Sequence, residues 1–317
     1  MKRAVLFSHT YVGIMTNGEY HLNDSDREVA TMSVTRERFR HVISKDTCTL
    51  AANIFDPLSA RIAHMLEYEI CVLSGSVGKA ANLGVPDIVM SNMSDVVDHC
   101  RRITRMVDIS LMVDAEDGFG NAVNVTRTVR DMEAAGVAAI EIEDNFVPRR
   151  FNMQDPGLVS EEEQSGKLRA AVDARTDPST FIVARSAAFG LCSLAESVNR
   201  LGAYSRTGVE GVMLTGVKSR EQIEAAHSAT SLPIFILNPP LDARNDLDFL
   251  AANGVRILML GNPTFSVVVK SIYDSLKLLK EGNPMEDLSD LLASPELLRA
   301  VNRTDEFIGL QEKYVRD

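Results

Sequence analysis

The sequence is short of several features, and each shortage argues against a class of protein. No apolar run approaches the ~18 residues needed to span a bilayer, so no membrane partner is expected. Basic residues are in deficit, 33 against 44 acidic for a formal charge of −11, and they do not cluster. That argues against a nucleic-acid partner, which needs a basic patch. The four cysteines, Cys48, Cys71, Cys100 and Cys192, stand far apart with no Cys-x-x-Cys pair. Their spacing suits neither a zinc site nor a secreted disulfide framework, and fits reduced thiols in a cytoplasmic protein. Met1-Lys2-Arg3 begins like a signal peptide, but Ser8, His9 and Thr10 interrupt the apolar residues and no small-residue cleavage site follows, so none is expected. Two nucleotide motifs also fail. Gly118-Phe119-Gly120 has Val123 where a dinucleotide fingerprint needs its third glycine, and Gly75-Ser76-Val77-Gly78-Lys79-Ala80 lacks the P-loop spacing and its final hydroxyl.

What is present is a repeating pattern. With 317 residues, 45% of them apolar, the chain can bury a substantial core. Residues 1–31 show no sustained period and read as an N-terminal extension. From about residue 50, short apolar runs alternate with helical patterns. The runs are 50–55, 69–73, 109–113, 138–142, 181–184, 211–215, 233–237 and 256–260. Helix starts follow them: Asp56 with Pro57, the capping boxes Ser160-x-x-Glu163, Ser193-x-x-Glu196 and Ser219-x-x-Gln222, and Asn262 with Pro263. Eight strand–helix units predict a TIM (β/α)₈ barrel over residues 32–280, with residues 281–317 as a tail of short helices.

In such a barrel the polar residues just past each strand form the site. The third run ends in Asp114-Ala115-Glu116-Asp117-Gly118-Phe119-Gly120-Asn121. Three carboxylates on one turn raise each other's pKa values unless a cation or hydrogen-bond donors hold them ionised. Glu143 and Asp144 follow the fourth run, and no histidine follows any run. An all-oxygen donor set selects a hard cation, Mg²⁺ or Mn²⁺. Asp114 is the expected direct ligand, with Glu116 and Glu143 acting through water and Asp117 shaping the turn. Ser74, Gly75, Arg185, Asn238 and Asn262 also fall past strands. Arg185 needs an anion there, either a substrate carboxylate or Glu143. Asn262 opens a helix, either as an anion subsite or as an ordinary N-cap. The loop 145–159 has the length of a lid.

Over about residues 45–280 the sequence resembles the isocitrate lyase and phosphoenolpyruvate mutase superfamily. The motifs that carry the resemblance are Asp56-Pro57-Leu58-Ser59-Ala60-Arg61, Ser74-Gly75-Ser76, Gly84-Val85-Pro86-Asp87, the 114–121 turn, Ile142-Glu143-Asp144 and Ala184-Arg185-Ser186. Asn121-Ala122-Val123-Asn124-Val125 and the overall spacing are most similar to the oxaloacetate decarboxylase branch. The resemblance implies a Mg²⁺-dependent enzyme for small 2-oxo acids, usually a homotetramer of barrels that exchange their eighth helix. It implies that Asp114 holds the metal, that Glu116, Glu143 and Asp87 hold its waters, and that Ser74 and Gly75 bind the substrate's carboxylate and carbonyl. Arg185, on the distal anionic group, Ser76 and Asn238 complete the expected substrate set, and Arg185, Asn262 and Arg149 form the expected catalytic set.

Departures from the pattern bear on the reaction. Arg149-Arg150-Phe151-Asn152 stands where the lyases carry a Lys-Arg-Cys-Gly-type loop and where mutases and hydrolases place Lys and Asn. Pro239 and Asn262 stand where the decarboxylases carry Tyr and His, and Glu116 replaces the usual Asp. The leading expectation is decarboxylation of oxaloacetate through a metal-stabilised enolate. Phosphonomutase-type chemistry on phosphonopyruvate or phosphoenolpyruvate and cleavage of a substituted malate are the alternatives. A homologue that binds metal and 2-oxo acid without turnover is the non-enzymatic one.

Overall fold

A computed structural model describes residues 14–16, 19–21, 24–88, 90–152 and 157–315, with backbone alone up to residue 31 and at Ser33. The signal-peptide reading, most of the extension before residue 24, and residues 153–156 of the expected lid lie outside the described residues.

A short hairpin, β1 (Ile14–Thr16) and β2 (Glu19–His21), precedes helix α1 (Asp24–Ile43). Each apolar run of the sequence is then a strand: β3 (Thr49–Leu50) and β4 (Ala52–Ile54), β5 (Ile70–Leu73), β6 (Ser110–Asp114), β7 (Ala139–Glu143), β8 (Phe181–Ser186), β9 (Gly211–Leu214), β10 (Ile234–Leu237) and β11 (Val255–Met259). All pair in parallel, in the order β4 through β11 and then β3. The run expected as one first strand is two segments. Its start pairs with β11 and its end with β5, while the Ala51 N–H donates to the Leu258 carbonyl at 3.0 Å. This stagger is what a tilted sheet needs to close on itself, so the eight expected strands form a barrel.

Helices occupy the expected places: α2 (Pro57–Met65), α4 (Met93–Thr104), α5 (Ala122–Ala134), α6 (Glu161–Ala174), α8 (Leu194–Ser205), α9 (Arg220–Ala229), α11 (Leu247–Ala252) and α12 (Pro263–Lys280). Their caps are those the sequence marks. Asp56 accepts from the Ser59 N–H at 2.7 Å, and Ser160 from the Glu163 N–H at 3.1 Å. Three further helices sit at strand ends: α3 (Gly75–Leu83), α7 (Ala188–Leu191) and α10 (Leu241–Arg244). A 3₁₀ segment (Met285–Leu291), α13 (Pro295–Val301) and α14 (Thr304–Tyr314) form the tail.

Two apolar layers hold the barrel. Leu111, Val113, Ile140, Ile142, Ile182 and Ala184 face the helices, while Met112, Ala139, Phe181, Val183, Met213 and Phe235 fill the interior. Alternation of period two therefore assigns the inward positions on every strand. Helix α1, which runs through residue 31, closes the amino-terminal end of the barrel. Phe39, Val42 and Ile43 join the interior cluster, with the Phe39 ring 5.2 Å from Phe181 and 6.2 Å from Phe235. Each such burial contributes about 1.5–3 kcal/mol. Helix α12 behaves differently from the other helices of the barrel: none of its residues is buried, and Val267, Ile272, Tyr273 and Leu276 are exposed.

Candidate active site

The same alternation that fills the interior with apolar side chains turns charged ones inward at the carboxyl ends. Asp114 follows Met112 at two residues' remove, Glu141 and Glu143 follow Ala139, and Arg185 follows Val183. Register sets Asp114 opposite Glu141 and Glu143 opposite Arg185. The guanidinium lies among all three carboxylates, with Nη1 2.6 Å from Asp114 Oδ2 and 3.6 Å from Glu141 Oε2, and Nη2 3.3 Å from Glu143 Oε2.

The turn after β6 is built to present Asp114. Its Oδ1 accepts from the Glu116 N–H at 3.0 Å, and its Oδ2 faces the Gly75 N–H at 3.4 Å. Glu116 and Phe119 hold positive φ angles of 52° and 60°, and the Glu116 side chain lies against α3, at Lys79 and Gly75. Gly118, at φ 86°, has no room for a side chain, since a Cβ there would run into Val125. Asn121 then caps α5, accepting from the Val123 and Asn124 N–H groups.

Electrostatics divides the carboxylates. Burial pushes Asp114 up, but the Arg185 charge, the Glu116 N–H and the Arg185 hydrogen bond outweigh it and hold Asp114 below its usual value. Burial raises Glu116 to about 8, helped by repulsion from Asp114 and opposed by Lys79. Glu143 is pushed up to about 7 and Glu141 to about 8 by burial, against the pull of Arg185. Neither oxygen of Glu141 has a hydrogen-bond partner. Counting Asp87, five carboxyl groups share two cationic side chains, Arg185 and Lys79. The site is short of positive charge.

A second face is uncharged. Asn262 Nδ2 lies 3.2 Å from Ser76 Oγ and 3.4 Å from Ser74 Oγ, and its Oδ1 accepts from Asn53 Nδ2 at 3.1 Å. No capping bond from the Asn262 side chain to α12 is formed, so it serves this network and not the helix start.

Of the residues expected from the sequence, Ser74, Gly75, Ser76, Asp114, Glu116, Glu143, Arg185 and Asn262 come together at this end of the barrel. Asp87 is exposed and reaches the group through Lys79, at 2.8 Å. Asn238 is exposed, with its side chain against Gly261, and Arg149 is exposed on the loop after β7. Asp117 pairs with Lys167 at 3.1 Å, and Asp144 is buried under Ser186 and Tyr204, so both brace the loops. Three site residues escaped the sequence reading: Lys79, Glu141 and Asn53. Glu141 stands two residues before Glu143, and that spacing alone marks the inward face. Lys79 stood in the sequence only within the rejected P-loop motif, and its carboxylate partners Asp87 and Glu116 lie 8 and 37 residues further along the chain.

A closed (β/α)₈ barrel with an acidic, arginine-bearing site at the carboxyl ends of its strands is the frame of an enzyme acting on small anions. The family model described as phosphoenolpyruvate phosphomutase matches residues 39–280, and the chain belongs to that family. An oxaloacetate decarboxylase of Rhodopseudomonas palustris (strain BisB18) is 40% identical over 268 residues, covering 84% of this chain and 92% of the relative. The crystal structure of a phosphoenolpyruvate phosphomutase from Streptomyces platensis subsp. rosaceus superposes with a TM-score of 0.80 at 25% identity, covering 89% of this chain and 99% of that one. A phosphonopyruvate hydrolase in complex with oxalate and Mg²⁺ superposes with a TM-score of 0.78 at 26% identity and the same coverage.

Proposed function

We propose that the chain is a divalent-cation-dependent carboxy-lyase for a small 2-oxo dicarboxylate, with oxaloacetate as the leading substrate. The observation that carries this is the shortage of positive charge around Asp114, where five carboxyl groups meet two cations: burial first, and repulsion from neighbouring carboxylates second, raise Glu116, Glu141 and Glu143 to about 8, 8 and 7. Among the described residues no three His, Cys, Asp or Glu form a ready ligand shell. Mg²⁺ and Mn²⁺ do not need such a shell, because they accept one or two carboxylates directly and keep several waters, and the all-oxygen group around Asp114 suits them. Asp114 would hold the ion directly, and Glu116, Glu143 and Asp87 would hold its waters. When bound, the ion supplies Lewis-acid polarisation of the 2-oxo group.

The chain's own groups do the rest. Ser74, Gly75, Ser76 and Asn262 face the 2-oxo acid end. Arg185, released from Asp114, takes the distal carboxylate. In decarboxylation the bond from C3 to that carboxylate breaks, its electron pair moves into the C2–C3 bond as CO₂ leaves, and a proton then returns to C3. Asn238 and Arg149, both exposed, would join this set only if the loops bearing them folded inward. Similarity to oxaloacetate decarboxylases at 34–40% identity supports this substrate over phosphonates. Likeness to a phosphoenolpyruvate phosphomutase supports phosphonate chemistry as the second reading. The apolar, unburied α12 supports a homotetramer in which this helix packs on a neighbouring barrel, and the free cysteines support a cytoplasmic location.

The test is turnover of oxaloacetate, phosphonopyruvate, methylisocitrate and substituted malates with and without Mg²⁺. Pyruvate release from oxaloacetate that stops on adding EDTA is the expected result. Stabilisation by these acids without any product would replace the enzyme with a binding protein.

A further inference from the structure

Lys79 is a charged residue at this site that decarboxylation does not call for. It lies on α3 one turn after Gly75, the glycine whose missing Cβ would stand 2.9 Å from Glu116 Oε1 and 3.0 Å from Asp114 Oδ2. Residues four apart share a helix face, so Lys79 is aimed at the same carboxylates. Its side chain is 2% exposed, and Nζ lies 2.5 Å from Glu116 Oε1 and 2.8 Å from Asp87 Oδ1. A buried ammonium is stable only when paired, and this one lies between two carboxyl groups. Those partners hold the proton on nitrogen, the opposite of what a lysine attacking a 2-oxo carbonyl requires.

We propose that Lys79 is a built-in counter-cation that competes with the divalent metal for Glu116 and Asp87, and so weakens and narrows the metal site of this chain. The inference rests on the metal reading above. With Lys79 in place, Glu116 and Asp87 are engaged by the ammonium and hold the ion's waters less strongly, so the ion is held chiefly from the Asp114 and Glu143 side. An ion drawing on Glu116 or Asp87 has to displace the ammonium or sit beside its charge. Without Lys79 the same carboxylates become free to serve the ion.

The experiment is titration of Mn²⁺ into metal-free protein, with free ion read by electron paramagnetic resonance, for the wild type and the variants K79M, K79Q, K79R and D114N. Circular dichroism establishes that each is folded, and the two neutral variants guard against one failing to fold. K79M and K79Q are expected to bind Mn²⁺ about tenfold or more tightly than the wild type, and K79R, which keeps the charge, within about threefold of it. Unchanged or weaker binding by the folded neutral variants, with D114N abolishing binding, overturns the role of Lys79 and leaves the metal reading standing. Tightening by K79R equal to that of K79M overturns it as well. Wild-type binding by D114N removes the metal reading, and this inference with it.

Discussion

Replacing Asp114 by Asn separates a metal role from a structural one. The amide keeps an oxygen that can accept from the Glu116 N–H, now at 3.0 Å, so the turn is preserved. What is lost is one negative charge and the 2.6 Å pair with Arg185. Two unit charges about 4 Å apart attract by about 4 kcal/mol at the effective dielectric of a protein site. Repulsion of Asp114 by Glu116 and Glu143 opposes that gain, and Arg185 retains Glu143 at 3.3 Å and Glu141 at 3.6 Å. The net change in stability of metal-free protein is therefore within about 2 kcal/mol, a shift of a few degrees in Tm. Turnover behaves differently, because the carboxylate that the cluster holds ionised below its usual pKa is gone. Mg²⁺-dependent release of pyruvate from oxaloacetate is expected to fall by about 10³-fold. Activity within about tenfold of wild type would refute the metal assignment. A drop in the Tm of EDTA-treated protein beyond about 10 °C would show instead that the Asp114–Arg185 pair is scaffold.

Further expectations concern acidity, space and assembly. Glu116 and Glu141 keep their protons to about pH 8 when folded and lose them near 4.5 when unfolded, so the folded chain holds more protons between these values. Stability of metal-free protein should therefore fall by about 2–4 kcal/mol as pH rises to 8, with added Mg²⁺ cancelling the loss. His99, held below 6.5 by burial, acts in the opposite sense at lower pH, so urea denaturation compared between pH 6.5 and 8 isolates the effect. A flat profile there would mean that the carboxyl groups are already compensated. Gly75→Ala inserts a Cβ 2.9 Å from Glu116 Oε1, and should cut kcat/KM about 100-fold while circular dichroism stays unchanged; normal kinetics would remove Gly75 from the site. Ile272→Glu with Leu276→Glu alters side chains 55% and 64% exposed on α12. Sedimentation should show a smaller assembly with monomer folding intact, and an unchanged mass would leave α12 outside any interface.

The barrel was legible because its strands are short apolar runs and its helices carry their own start signals: Asp56 before Pro57 caps α2, and Ser160, Ser193 and Ser219 each accept from the backbone three residues on, although the reciprocal half of the expected capping boxes is not formed there. Helix α1 was not, because its sequence is mostly polar and, among its described side chains, the apolar ones that enter the core are Phe39, Val42 and Ile43 at its end. Its place is set by the barrel floor it covers, where Arg36 bonds the Val137 and Glu133 carbonyls.

The site divides the same way. Local chemistry in the sequence determined that Asp114, Glu116 and Glu143 gather where strands end, because a turn and an alternation of two are properties of neighbouring residues. Only the tertiary structure decided which charge answers which. Closing the sheet brought Arg185 onto Asp114 from 71 residues away, put Asn53 beside Asn262, and carried Lys79 to Glu116 across 37 residues of chain. Burial, which no single stretch of sequence contains, then raised Glu116, Glu141 and Glu143 toward neutrality and left a site short of positive charge.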